Sequence, residues 1–128
     1  MVDKSRAKII LKRKPIMKNS NFTHLKPFVK ELPSDKTDYI EILTSSVAVN
    51  MRSGYVSLKR GESVGEHSTG DNEEMLIILE GEGEIEVGGI EREKIKQGQI
   101  AYNPPNTKHN VYNTNSPILR YIYVVTGI

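Results

Sequence analysis

Two of the three histidines in this 128-residue chain lie in stretches whose residue types suit a cation. In GEHSTGDNEEMLIILEG, residues 65–81, His67 is followed by Thr69 and Glu74. Alternation along a strand places His67 and Thr69 on one face. The Gly70-Asp71-Asn72 segment is turn chemistry and can fold the chain back, bringing Glu74 beside His67. The second stretch is GQIAYNPPNTKHNVYN, residues 98–113, where a double proline precedes His109. The chain has no cysteine, which leaves imidazole and carboxylate as its strong ligands. Two imidazoles and a carboxylate on neighbouring strands suit a first-row divalent ion with open coordination positions. The plainer alternative is two structural histidines bonded to backbone, and residue types alone leave both open.

Short strands and turns carry these residues. The pattern predicts strands at Tyr39–Leu43, Gly54–Leu58, Met75–Glu80, Glu84–Val87, Ile90–Ile95, Gln99–Tyr102, His109–Tyr112 and Leu119–Val125. Period-two alternation is clearest in Glu84–Val87 and Leu119–Tyr123. Gly88-Gly89 reads as a two-residue hairpin turn of type I′, which needs positive φ at both positions. Strands at this spacing without a long helix indicate an all-β sandwich or barrel.

Ahead of the strands lies a basic arm. Residues 1–36 hold ten Lys or Arg against three Asp or Glu, a net +7, whereas residues 37–128 carry a net −5. Such an arm can bind nucleic acid or an anionic surface, or pack on an acidic body, its own or a partner's. It is short and matches no nucleic-acid motif, so packing is expected, with neither nucleic acid nor membrane as partner. Within it, Ala7–Leu11 can form a strand and Phe22–Leu32 a helical turn. The opening MVDKSRAK lacks a secretory pattern and no apolar run reaches membrane length, so a cytoplasmic protein is expected.

The spacing of the two stretches resembles the cupins. Their first motif is matched by Gly61, His67, Thr69 in place of a second His, Glu74 and Gly81. Their second is matched by Gly98, Pro104, Asn106 in place of Gly, His109 and Asn113. The resemblance implies an antiparallel β-barrel, the double-stranded β-helix or jelly-roll, over residues 37–128, with residues 1–36 as an arm packed on it or swapped to a partner. It also implies a divalent metal ion (Zn, Fe, Ni or Mn) held by His67, Glu74 and His109. The gap to Gly81 selects Glu74 over Glu73. Thr69 is a weak neutral ligand or a hydrogen-bonding contact to water or substrate. Asn106 is a mild change, because Asn tolerates left-handed backbone.

The implied function is metal-dependent chemistry on a small oxygen-rich molecule, a sugar, keto acid or enol, of isomerase, decarboxylase or dioxygenase type. Glu74 is then also the candidate catalytic base. The alternative is a cupin that binds a sugar-like ligand without chemistry, since a depleted ligand set is what lost catalysis leaves. Arg120 is a candidate for a substrate carboxylate at the barrel mouth, with an edge salt bridge as the plainer role. Tyr102 is a candidate substrate contact, although packing is the plainer role for it and for Tyr121 and Tyr123. His24 is expected at the surface. A homodimer is expected, in which the arm covers a sheet edge or crosses to the partner.

Overall fold

The computed structural model describes residues 22–33 and 38–127. Among these residues nine strands follow one another: β1 (Tyr39–Leu43), β2 (Met51–Lys59), β3 (His67–Ser68), β4 (Asn72–Glu80), β5 (Glu82–Val87), β6 (Glu91–Lys96), β7 (Ile100–Asn103), β8 (Lys108–Tyr112) and β9 (Ile118–Gly127). All pairings between them are antiparallel. They form a five-stranded sheet in the order β1-β2-β9-β4-β7 and a four-stranded sheet in the order β3-β8-β5-β6. Among the described residues no helix is long and apolar enough to cross a membrane.

The core fills the space between the sheets. Alternation turns Glu74, Leu76 and Ile78 of β4 inward, and Leu119 and Tyr121 of β9 join Val56 and Leu58 of β2. Ile85, Ile95 and Val111 close the core from the four-stranded sheet. Central β2 is buried over the whole run Ser53–Leu58, on both its faces. Its Gly54 is required by close approach: a Cβ there would meet the Tyr123 ring at 2.7 Å. Gly81, at φ 83°, links β4 to β5 where a Cβ would run into the Ile118 carbonyl.

The predicted strands correspond to β1, residue for residue, and to β2 and β4–β9 with shifted ends. β3 is missed, because two residues carry no periodicity. The hairpin between β5 and β6 is also longer than expected. Val87 pairs with Glu91, so the loop is Gly88-Gly89-Ile90 and Ile90 is a turn residue, 89% exposed. Both glycines do take positive φ, 66° and 72°.

Of the arm, only its last part is described. Phe22–Leu25 makes a single turn closed by Leu25 N–H on the Phe22 carbonyl, and the rest up to Pro33 has no regular structure. Lys30 Nζ donates to the Glu41 carbonyl of edge strand β1 at 3.4 Å. The expected strand Ala7–Leu11 lies outside the described residues.

Candidate metal centre

His67 and His109 are directly paired across β3 and β8. Their rings meet edge-on with centroids 4.2 Å apart. Glu74 comes from the opposite sheet. The turn after β3 does bring Glu74 to His67, as expected, though by carrying the chain across into β4 of the other sheet rather than by a hairpin within one sheet. The ligand atoms of all three residues lie within 4.8 Å of one another.

The protonation pattern follows from second partners. His109 Nδ1 lies 3.0 Å from the Thr107 carbonyl, and His67 Nδ1 lies 2.9 Å from the Gly65 carbonyl. A carbonyl only accepts, so each Nδ1 carries a hydrogen and each Nε2 presents its lone pair when the ring is neutral. His109 Nε2 sits 2.9 Å from Glu74 Oε1, yet the contact lacks hydrogen-bond alignment and this buried nitrogen has no hydrogen-bond partner among the described residues. A lone pair facing a carboxylate at that distance is relieved by a proton or a metal ion held between or beside them. His109 is 2% exposed and Glu74 7%. The donor set, two imidazole nitrogens and a carboxylate, therefore fits a first-row divalent ion.

Burial pulls the His109 pKa down, but the Glu74 carboxylate and the Thr107 carbonyl outweigh it, and the net shift is upward from 6.5. Glu74 is in turn oriented by Asn103, whose Nδ2 donates to Oε1 at 3.1 Å. Asn103 pairs with Glu74 across β4 and β7, and sequence alone gave no sign of this role. Asn110 plays a similar part for His67: its Oδ1 accepts from Gly65 N–H at 2.9 Å, which fixes the carbonyl that His67 uses.

The three residues open onto a cavity of about 540 Å³. Its apolar wall includes Val56, Leu58 and Leu76, and Tyr121 and Tyr123 of β9 also face it. Burial raises both phenols above 10, with Glu74 adding to the rise at Tyr121 and the bond to Tyr39 at Tyr123. Both are thus hydrogen donors at neutral pH.

The remaining candidates sit elsewhere. Thr69 does not point at the cation site. Its hydroxyl donates to the Pro104 carbonyl at 2.7 Å and accepts from Thr107 N–H at 3.0 Å. The alternation that placed it beside His67 fails because β3 ends at Ser68. Arg120 does not reach the cavity either. It lies on the outer side of β9, bonded to Glu80 Oε1 at 2.9 Å, to the Tyr55 hydroxyl at 2.6 Å and to the Pro33 carbonyl at 2.7 Å. Tyr102 is on edge strand β7, 57% exposed, and donates to Glu73 Oε1 at 2.8 Å, so it does not line the cavity. Its neighbour Asn103 takes the inward position.

A double-stranded β-helix with a two-histidine, one-carboxylate cluster facing its cavity defines the class of protein. The cupin domain family model matches residues 54–125. An uncharacterized protein of Methanocaldococcus jannaschii is 33% identical over 89 residues, covering 70% of this chain and 74% of the relative. The chain belongs to the cupin family. A crystal structure of an RmlC-like cupin family protein from M. jannaschii superposes with a TM-score of 0.64 at 28% identity, over 79% of this chain and 90% of that one. A predicted oxalate decarboxylase from Thermotoga maritima gives 0.65 at 25% identity, over 70% and 79%. The Cnp3 cupin domain of Schizosaccharomyces pombe gives 0.64 at 16% identity, which shows the fold alone; the match covers 70% of this chain and 64% of that domain.

Proposed function

We propose that this cupin holds a divalent metal ion at His67, Glu74 and His109 and acts on a small oxygen-rich molecule, a sugar, keto acid or enol. The observation that carries this reading is the buried His109 Nε2, without a hydrogen-bond partner among the described residues and 2.9 Å from the Glu74 carboxylate. When bound, such an ion supplies a Lewis acid that polarises a carbonyl or enolate oxygen. Among the described lining residues there is no Lys or Arg to do this instead.

The chain supplies the rest. Asn103 holds Glu74 Oε1, and Oε2 makes no hydrogen bond among the described residues, so the carboxylate can take or return a proton of the substrate. Leu58, Leu76 and the tyrosine rings give that exchange a largely apolar surround. Isomerisation, decarboxylation and dioxygenation all begin from such a site, and the similarity to a predicted oxalate decarboxylase is in keeping with it.

The test is elemental analysis of purified protein, then a screen of sugars and keto acids with chelated and reloaded samples. His67→Ala and His109→Ala are expected to lose metal and turnover together, and His24→Ala neither. Protein and variants that stay metal-free in excess zinc and iron would falsify the proposal. A second reading, a ligand-binding cupin without chemistry, draws on Thr69, whose hydroxyl is spent on the turn rather than offered as a fourth ligand. Metal-dependent ligand binding with no turnover across the screen would select it.

A further inference from the structure

Tyr121 stands on the inner face of β9, paired with Val56 on one side and Ile78 on the other. It is 2% exposed and lines the same cavity as His67, Glu74 and His109. Its hydroxyl makes no hydrogen bond among the described residues. The other phenols of this region differ. Tyr55 accepts from Arg120, Tyr102 donates to Glu73, and Tyr39 and Tyr123 bond to each other.

A phenylalanine would supply the same ring to Val56, Ile78 and Leu119. The oxygen therefore adds nothing to the packing; it is not among the fully buried unpartnered polar atoms and opens into the cavity. A hydroxyl that opens into the cavity lined by His67, Glu74 and His109, with no partner among the described residues, is placed to bond a molecule held there. A neutral phenol can donate its hydrogen, and a ligand that presents an acceptor oxygen uses that capacity.

We propose that Tyr121 anchors the bound small molecule, donating its phenolic hydrogen to one ligand oxygen while another oxygen of the same molecule lies at the His67, Glu74 and His109 centre. This rests on the metal-binding reading above. It narrows the ligand to one with at least two oxygens on different atoms, as both a keto acid and a sugar have. The volume of about 540 Å³ admits either.

The experiment compares zinc-loaded wild type and Tyr121→Phe by calorimetric titration with pyruvate and with xylose, alongside zinc affinity and denaturant unfolding. Wild type is expected to bind at least one of the two, and which one separates the keto-acid from the sugar source. Tyr121→Phe is expected to weaken that binding by about fivefold to tenfold, the loss of one hydrogen bond, with zinc affinity unchanged. Its unfolding midpoint should stay or rise. Equal ligand affinity in both proteins overturns the anchoring role, as does zinc-loaded wild type that binds neither probe. A lowered midpoint also overturns it, because the hydroxyl would then be structural. Wild type that takes up no zinc overturns the metal reading itself, and the anchoring role with it.

Discussion

Glu74 and His109 share a gap for which a proton and a metal ion compete. In the unfolded chain the imidazole titrates near 6.5, and in the folded metal-free protein its pKa is raised. The folded state then binds the proton more tightly than the unfolded one. That stabilisation is complete below about 6.5 and is lost as pH rises through the folded value. A metal ion needs the neutral ring, so its stabilisation grows over the same interval. The urea midpoint of chelated protein is expected to fall as pH rises through this window. In excess zinc the slope should reverse, and His109→Ala should remove the contribution in both series. A midpoint that moves the same way with and without zinc would show that the two cations do not share the gap.

At the scale of elements, two loops have to be held together for the histidines to meet. Thr69, just after β3, clamps Pro104 and Thr107 in the loop before β8, and Asn106 N–H returns a bond to the Gly70 carbonyl at 2.8 Å. Thr69→Val leaves the Pro104 carbonyl and the Thr107 amide without this partner and is expected to cost about 1–3 kcal/mol in a denaturant melt. Asn106 has φ 54°, the left-handed region. Asn106→Ala is expected to cost about 1 kcal/mol, and Asn106→Gly to recover most of it, because only the Cβ clash is at issue. If the Ala and Gly variants melt alike, backbone strain at this turn is not what limits the loop.

At the scale of the whole molecule, the outer face beside edge strand β7 exposes Met75, Ile100 and Tyr102, and the described part of the arm reaches β1 through Lys30. We propose a homodimer in which residues 1–36 pack on the barrel of residues 37–128 or on that of a partner. Light scattering should give twice the chain mass for the full-length protein and a reduced mass once residues 1–36 are removed. A full-length monomer, unchanged by the deletion, would end this proposal.

The linear order of residues was enough to determine the family and the three candidate ligands, because spacing within a strand-turn-strand unit survives in the sequence as fixed intervals. His67, Glu74 and His109 stand at those intervals, and the structure brings the three together. Alternation was enough for the longer strands, where four or more side chains report which positions share a face. Direction was a different matter. A strand's two faces look alike until a second sheet covers one of them, so only the tertiary structure turned Arg120 and Tyr102 outward and Tyr121 inward. The same holds for Thr69, where β3 stops after two residues and the hydroxyl is drawn into a turn from a distant part of the chain. Asn103 was invisible for the reason that its partner lies 29 residues away, on a strand whose pairing the barrel alone decides.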